Sequence, residues 1–375
     1  MRFDLSGRAV LELVGAEEPV ARYVTGQMDP FPPGDASDPA PDLVLESSSG
    51  SLERTLVEVQ HAADDDLVTA TDGRRLFVEW DHRRCCVPDA LEERPARFEY
   101  EPGFPVWRIF RQAVRPALQM SMVANGALAV HAASVEIEGG GLVVAGWSES
   151  GKTETALGLM ESGARFLSDK WTILGADGEA SAFPISVGIR RWVLRYLPTL
   201  RASLTPTARA QFAAVGVAGL LLEPAGRRSA RGRSMGMAVD SARRAMALGD
   251  RAAFSVRDLR AVYGQSDDPT RRVPTRAVAL LVNVPGEAIT TQEADPAWAS
   301  ARLARSAAFE RRAYFNLMQR AAYAVPSRPV TLVERAVAQE EELLRTVLSS
   351  VRLLAVRAPF PTDPRLVADA ILRAL

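Results

Sequence analysis

The chain has 375 residues, of which 47% are hydrophobic and 24% are charged, and its formal net charge is −1. This composition is typical of a globular protein, and the length predicts about two domains. A chain so close to neutrality presents no overall field to nucleic acid or to a membrane surface, so we expect neither as a partner. The apolar runs are shorter than the ~20 residues of a membrane-spanning helix. The first residues, MRFDLSGRAV, lack a signal-peptide pattern, so we expect a cytoplasmic protein.

The positions of cysteine and histidine argue against a disulfide or metal framework. The two cysteines, Cys85 and Cys86, are adjacent, and neighbouring cysteines rarely form a structural bridge. The three histidines, His61, His82 and His131, lie far apart in the chain. The sequence therefore predicts neither a disulfide scaffold, nor a cysteine-based zinc site, nor a histidine-rich metal site.

The first hundred residues are predicted to be rich in strands. Residues 1–30 predict a strand and a short helix, and the Pro- and Gly-rich stretch 30–50 predicts a loop. TDG at 71–73 is typical of a hairpin turn. Alternating apolar residues predict strands in RTLVEVQ (54–60), LVTAT (67–71) and RRLFVEWDHRR (74–84). Residues 1–102 are thus predicted to form a β-rich accessory region.

The rest of the chain, 103–375, is predicted to alternate strands and helices. Residues 106–125 have apolar side chains at helical spacing, with a kink or break at Pro116. The Arg-, Gly- and Ser-rich residues 223–236 predict an exposed loop. Further helices are predicted at 153–163, 298–324, 331–350 and 363–375, and further strands at 127–137, 141–146, 165–174, 276–285 and 351–359. This order predicts an α/β, or α+β, fold.

One motif carries recognisable chemistry. Residues 146–153, GWSESGKT, fit the phosphate-binding pattern G-x-x-x-x-G-K-[ST], with a predicted strand before and a predicted helix after. Gly146 and Gly151 let the backbone curl so that its N–H groups face phosphate oxygens. Lys152 can reach the β- and γ-phosphates, the Thr153 hydroxyl can bind Mg²⁺, and the helix N-terminus favours the anion. The predicted nucleotide-binding residues are Gly146, Trp147, Ser148, Glu149, Ser150, Gly151, Lys152, Thr153 and Glu154.

Lysine usage singles out the same place. Of 45 basic residues, only Lys152 and Lys170 are lysines. Genome base composition explains an excess of arginine, but not where the lysines remain. Lysine is the compact, flexible point charge that this loop requires, and arginine replaces it poorly there.

Residues 131–174 resemble the P-loop core of HPr kinase/phosphorylase and its related kinases. In that family a histidine opens the first strand, a short turn follows, and a second strand runs into the loop. Here the histidine corresponds to His131 and the turn to Gly139–Gly141. After the lysine, the family has a glutamate, an Ala-Leu pair, a small residue at the helix end and an aspartate at the end of the next strand. These correspond to Glu154, Ala156, Leu157, Gly163 and Asp169. The resemblance implies a phosphoenolpyruvate-carboxykinase-like P-loop domain, ATP or another nucleoside triphosphate as phosphoryl donor, and Mg²⁺ as cofactor.

Two departures separate the chain from that family. Lys170 stands where the family has a second aspartate, and the downstream Glu-x-Arg-Gly signature is not present. The nearest basic element is VGIRRW, which contains Arg190 and Arg191. The resemblance therefore implies a relative that phosphorylates another acceptor rather than an HPr kinase/phosphorylase itself.

Asp169 is the candidate base. A carboxylate at the end of an apolar strand can hold Mg²⁺ together with Thr153, or take the proton of an attacking hydroxyl, whereas its structural alternative is a turn-starting aspartate. Lys152 is the second predicted catalytic residue. Lys170 can pair with Asp169, place a positive charge beside it, or be an ordinary surface lysine.

The remaining candidates keep a structural alternative. His131 is either near the site or a satisfied core histidine. Glu154 either orients Lys152 or the metal, or favours the first helical turn by its charge. Arg190 and Arg191 can stabilise the transferring phosphate or lie in solvent. RRSARGRS (227–234) can contact an anionic acceptor, although a solvated loop is the simpler interpretation.

Two functions of different classes fit these observations. The first is an ATP-dependent, Mg²⁺-requiring phosphotransferase acting on a hydroxyl of a small molecule or of a peptide or protein serine. The second is a non-catalytic, nucleotide-binding regulatory or assembly module, which Lys170 and the missing signature favour. A motor NTPase or a GTPase fits less well, because no Asn-Lys-x-Asp motif and no hhhhDE strand are found. Assembly into a homo-oligomer is compatible with either function.

Overall fold

The computed structural model describes residues 1–34, 39–52, 56–61, 67–88, 94–215, 250–266, 268–325 and 331–375. The loop predicted at 223–236, with its basic run 227–234, lies outside the described residues. The strands are β1 (Arg2–Asp4), β2 (Val10–Val14), β3 (Leu43–Ser47), β4 (Glu58–His61), β5 (Val68–Thr71), β6 (Leu76–Trp80), β7 (Arg83–Val87), β8 (Ala96–Tyr100), β9 (Ala127–Val130), β10 (Ala132–Ile137), β11 (Gly140–Gly146), β12 (Arg165–Ser168), β13 (Thr172–Gly175), β14 (Glu179–Ala182), β15 (Val187–Arg190), β16 (Arg251–Phe254), β17 (Arg272–Asn283), β18 (Thr290–Glu293) and β19 (Arg352–Ala358).

The α-helices are α1 (Glu18–Gln27), α2 (Val106–Ile109), α3 (Arg115–Ser121), α4 (Lys152–Glu161), α5 (Pro198–Ser203), α6 (Val256–Val262), α7 (Pro296–Glu310), α8 (Arg312–Ala324), α9 (Thr331–Ser349) and α10 (Pro364–Ala374). Short 3₁₀ turns cover Met122–Asn125 and Arg191–Tyr196, and residues 206–215 are helical. No helix of the described residues combines the length and the apolar character needed to cross a membrane.

The first hundred residues form one sheet in the order β1-β2-β3-β8-β7-β6-β5-β4. Two details differ from prediction. β3 lies in the stretch predicted as a loop, because LVL is buried between β2 and β8, which are distant in sequence. The single strand predicted over 74–84 is a hairpin of β6 and β7, turned by the positive φ angles of Asp81 and His82.

The helical stretch after this sheet is continuous across Pro116. A π-helical turn, Phe110–Val114, joins α2 to α3, and Pro116 lies in the first turn of α3. A proline ring clashes with the carbonyl four residues earlier in a regular helix. The wider turn just before it relieves that conflict, so the kink or break predicted at Pro116 is a local change of pitch.

The second half centres on three parallel strands, β11, β17 and β19. β10 and β12 extend the sheet on one side, and β18 on the other. The first residues of β17 turn away to pair with β14, which continues through β13 to β9. The protein therefore has mixed sheets packed with helices, which agrees with the α+β form of the prediction.

Two strands predicted as continuous are each broken at a functional candidate. One prediction spans His131, which separates β9 from β10, and the other spans Asp169 and Lys170, which separate β12 from β13. The breaks lie side by side, because Val130 pairs with Thr172 on one flank and Ser134 with Ser168 on the other. Lys170 makes the second break with φ +60°. At these two breaks the chain passes between the pair of strands β9 and β13 and the pair β10 and β12.

The apolar core is continuous between the two halves. One buried cluster contains Leu11 and Phe98 of the first sheet, Ile109 of α2, Ile173 of β13 and Tyr314 of α8. Two further clusters cover the two faces of the parallel strands. The predicted boundary at 102/103 falls between β8 and α2, and the first of these clusters has members on both sides of it.

Candidate functional site

The loop between β11 and α4 has the shape of a phosphate cradle. Gly146 has φ +151° and Gly151 has φ +95°, in the region that side-chain-bearing residues avoid. A Cβ on Gly146 would lie 2.6 Å from Ser150 Oγ and 2.9 Å from the Leu281 carbonyl oxygen. Both glycines are therefore required by the backbone, as the motif predicts.

Lys152 is buried, and its ammonium is held by the loop itself. Its Nζ donates to the carbonyl oxygens of Trp147 at 2.6 Å and Gly146 at 3.3 Å. Burial lowers the pKa of Lys152 to about 8, although Asp169, Glu310 and Glu154 oppose the shift. Because the donors are held by neutral carbonyls rather than by a carboxylate, a phosphate oxygen can replace those carbonyls at small electrostatic cost.

Thr153 and Asp169 form a pair beside the loop. Thr153 Oγ1 donates to Asp169 Oδ1 at 2.7 Å. Burial raises the pKa of Asp169, while the bond from Thr153 and the charges of Lys152 and Lys170 act against the rise. A hydroxyl and one carboxylate, completed by phosphate oxygens and water, are the ligands that a P-loop offers Mg²⁺. Within the described residues, no three His, Cys, Asp or Glu side chains cluster so that they could hold a metal ion.

Glu149 ties the loop to the ribbon of β15 and β16. It has φ +60°, and its Oε1 accepts from Arg190 Nη2 at 2.5 Å and from Arg251 Nη2 at 3.3 Å. Arg190 therefore lies beside the loop and lines the cavity next to it. Arg191 instead pairs with Asp250, with Arg191 Nε 3.2 Å from Asp250 Oδ1. The ribbon thus brings Arg190 and Arg251, rather than Arg190 and Arg191, to the phosphate loop.

His131 contacts the start of the loop through Ser306, and its imidazole is neutral. Ser306 Oγ donates to the Gly146 carbonyl oxygen at 3.2 Å and lies 3.0 Å from His131 Nδ1. Since the single hydroxyl proton of Ser306 goes to Gly146, Nδ1 carries the imidazole proton. Burial, together with Lys152, Lys170 and Arg311, lowers the pKa of His131 to about 2. His131 can therefore position the start of the loop but cannot supply a positive charge.

Lys170 pairs with a residue that the sequence did not indicate. Its Nζ lies 3.7 Å from Glu310 Oε2, at the end of α7, rather than in an ion pair with Asp169. Its charge still acts on the neighbouring Asp169. Burial raises the pKa of Glu154, the residue after the motif. Glu154 and Glu310 are thus further carboxyl groups facing the same space.

A cavity of about 410 Å³ brings these side chains together. Of the predicted residues it is lined by His131, Ser148, Glu149, Ser150, Gly151, Lys152, Thr153, Glu154, Asp169, Lys170 and Arg190. Gly146 and Trp147 lie just outside it, and the half-exposed Trp147 ring packs against Phe309 at 4.8 Å between centroids.

Among the lining residues that the sequence reasoning missed are Arg111, Arg115, Gln119, Arg251, Glu310 and Arg311. The first three stand four residues apart in one predicted helix, and that spacing was a usable signal. The other three are brought in by elements distant in sequence, so no local pattern could have indicated them.

Comparison with known proteins adds no family. A scan against protein-family models and a search of curated proteins each gave no match. The functional argument therefore depends on the geometry of the site.

Proposed function

We propose that the protein is an ATP-dependent, Mg²⁺-requiring phosphotransferase of the HPr-kinase-like group, with a phosphoenolpyruvate-carboxykinase-like P-loop core, acting in the cytoplasm on a hydroxyl acceptor. The single observation that carries the proposal is the 2.7 Å bond from Thr153 Oγ1 to Asp169 Oδ1 beside the phosphate loop. A bare phosphate-binding loop needs no buried carboxylate next to its threonine. Phosphoryl transfer does, because the metal and the attacking hydroxyl both require one.

The loop residues would bind and orient the donor. Free backbone N–H groups of the loop would face the phosphates, and the start of α4 would add its positive dipole. Lys152 would move its donors from the Gly146 and Trp147 carbonyls to phosphate oxygens. Thr153 Oγ1 and Asp169 would hold Mg²⁺, whose contribution is to neutralise charge on the phosphates. Arg190 would approach the γ-phosphate from the ribbon.

Asp169 would also receive the proton. Its Oδ1 is bonded to Thr153, which leaves Oδ2 for the acceptor hydroxyl. As the acceptor oxygen bonds to the γ-phosphorus and the bond from that phosphorus to the bridging oxygen of ADP breaks, the hydroxyl proton passes to Oδ2. Burial raises the pKa of Asp169, which makes it a better proton acceptor than an exposed aspartate.

The test combines calorimetry with a turnover assay. We expect wild-type protein to bind Mg·ATP and Lys152→Ala to bind it at least ~tenfold more weakly, the cost of one charge-assisted bond. Asp169→Asn should retain ATP binding without Mg²⁺ and lose transfer. Wild-type protein that does not bind Mg·ATP, or Lys152→Ala protein that binds it as tightly, would overturn the proposal.

A second function is favoured by one observation. Lys170, with its Nζ directed to Glu310, places a positive charge where related kinases have a second carboxylate. This arrangement fits a nucleotide-binding regulatory or assembly module without transfer. Tight Mg·ATP binding with no transfer across a broad panel of acceptors would support the module. Transfer that disappears in Asp169→Asn would exclude it.

A further inference from the structure

A row of hydrogen-bond donors lines the same cavity as the phosphate loop. Arg111, Arg115 and Gln119 follow one another at four-residue intervals along the helical stretch from the π turn into α3. Side chains four residues apart share one helix face. All three residues line the cavity, and at 1.5 Å per residue the row is ~12 Å long. We call it the donor row.

The two arginines of the donor row have only neutral partners in the described part of the chain. Arg115 Nη2 donates to Gln27 Oε1 at 2.8 Å, and Arg111 interacts electrostatically with the Tyr23 hydroxyl. Burial, followed by repulsion from Arg111, lowers the pKa of Arg115 to about 10. Two guanidinium groups that repel each other at the wall of a cavity are stabilised by an anion between them.

Gln119 supplies an independent observation. It is only 1% exposed, and its Oε1 accepts from Arg311 Nε at 3.1 Å. This bond fixes which end of the amide is oxygen, so the other end is a donor. Within the described residues, that Nε2 is buried without an acceptor. A buried donor left unpaired destabilises the site until an acceptor arrives, and a ligand in the cavity can provide one.

Arg311 holds the row in place and contributes no free charge to it. Its guanidinium is buried and is satisfied by Gln119, Glu340 and the Ala129 carbonyl oxygen. The net charge on this wall therefore belongs to Arg111 and Arg115. Two full charges plus an amide donor match a phosphate monoester, with about two negative charges, better than a single carboxylate.

We infer that the acceptor is a small hydroxyl compound that already carries a phosphate monoester, with its phosphate on the donor row and its hydroxyl directed to Asp169. This inference depends on the proposed function, of which it names the substrate class. A cavity of about 410 Å³, shared with the γ-phosphate, has room for such a small molecule. The γ-phosphoryl group passes from ATP to the acceptor hydroxyl, and the proton of that hydroxyl passes to Asp169, so ADP and a bisphosphate are the products.

The first experiment measures inorganic phosphate as the probe. Full-length protein is saturated with Mg²⁺ and a non-hydrolysable ATP analogue, which occupies the γ-phosphate position, and phosphate is titrated by calorimetry. We expect Arg111→Gln and Arg115→Gln each to weaken phosphate binding at least ~tenfold, with the analogue's affinity unchanged. Arg108→Gln is the matched control, because Arg108 lies on the same helical stretch but over the Trp80 ring, 3.3 Å from its centroid.

The second experiment measures transfer. Glycerol 3-phosphate and ribose 5-phosphate are compared with glycerol and ribose, and with glycerate as a carboxylate. We expect transfer to the phosphorylated compounds, with KM raised in the Arg111→Gln and Arg115→Gln proteins. Arg111 is exposed, so its replacement leaves the fold intact even if Arg115→Gln destabilises it.

The outcomes separate the two proposals. Phosphate binding that Arg111→Gln and Arg115→Gln leave unchanged, no phosphate binding by analogue-loaded wild-type protein, or preference for glycerate overturns the inference while leaving a kinase. Failure of the analogue itself to bind overturns the proposed function. In that case phosphate binding to the wild-type protein, if lost in the arginine variants, still establishes the anion site.

Discussion

The Thr153 hydroxyl has one proton, and Asp169 Oδ1 accepts it at 2.7 Å. Its lone pairs then remain for a cation, which is the arrangement that a phosphate-bound Mg²⁺ requires. Asp169 in turn depends on that proton, because burial alone disfavours its charge. The two side chains are therefore one hydrogen-bonded unit, although they come from different elements.

Replacing Thr153 tests this unit with a matched pair of variants. Thr153→Ser keeps the hydroxyl, so we expect the Mg²⁺-dependent part of ATP affinity to stay within ~threefold of wild type. Thr153→Val keeps the shape but removes both the metal ligand and the donor to Asp169, so at least ~tenfold should be lost. Calorimetric titration of ATP with and without Mg²⁺ measures the difference. Equal Mg·ATP affinities for Thr153→Val and wild type would contradict the assignment.

The pH dependence of nucleotide binding follows from Lys152. Burial lowers its pKa from 10.5 to about 8 in the free protein, and phosphate binds the charged form. Above pH ~8 binding must first protonate Lys152, so affinity should fall by up to ~tenfold per pH unit. ATP is already fully ionised at that pH, so its own titration adds no slope. Calorimetry between pH 7 and 10 measures the effect.

The only other lysine provides the control. Lys170→Met should keep the fall in affinity above pH ~8, whereas Lys152→Met should remove it along with most of the affinity. A fall of the same size in Lys152→Met protein would assign the titration to another group.

Strands and helices that are distant in sequence pack closely around the phosphate loop. The break at His131 and the break at Asp169 are neighbours because Val130 pairs with Thr172 and Ser134 with Ser168. On the other side of the sheet, α4 packs on the start of α10. A Cβ added to Gly158 would lie 2.8 Å from the Pro364 carbonyl oxygen. The helix that carries Lys152 is thus held by the close approach of Gly158 to the backbone at the start of α10.

Gly158→Ala tests that contact against helix propensity. Alanine in a helix interior is ordinarily better than glycine by ~1 kcal/mol. Here the new methyl group meets backbone, which cannot move aside, so we expect the free energy of unfolding to decrease by about 1–3 kcal/mol. Chemical denaturation measures it. Gly26→Ala in α1, where the added Cβ meets no atom within 4 Å, is the control and should be neutral or stabilising. A stabilised Gly158→Ala protein would show that α4 and α10 are further apart.

At the scale of the whole molecule, the first sheet and the P-loop half share one core. Phe98 of β8 and Ile173 of β13 are both 0% exposed and belong to the same apolar cluster. The buried Arg311 adds polar links from α3, β9 and α9 to one side chain. We therefore expect the two halves to unfold together.

Phe98→Ala measures that coupling. Removing a fully buried phenylalanine costs about 3–5 kcal/mol. Because the core is continuous, amide hydrogen exchange should speed up in β13 and β17 as well as in β8. Loss of protection confined to residues 1–102 would instead indicate two independently folding domains divided at the predicted boundary.

Much of the phosphate loop was determined locally. Two glycines, one lysine and one threonine at fixed spacing, after an apolar strand and before a helix, specify a cradle by backbone geometry alone, and the structure has β11, the loop and α4 in those places. Contacts within eight residues need no long-range information. The same reasoning failed for β3, whose burial depends on partners far along the chain.

The tertiary structure decided what surrounds that loop. Asp169 reaches Thr153 because two strands break at the same level, and Glu310, Arg251 and the donor row arrive from elements that are remote in sequence. Lys170 turns to Glu310 because α7 ends beside it. Short spacing fixes local backbone shape, whereas the partner of a charge is set by which distant elements pack together. The sequence by itself thus determined the backbone shape of the loop, and only the fold decided which side chains face it.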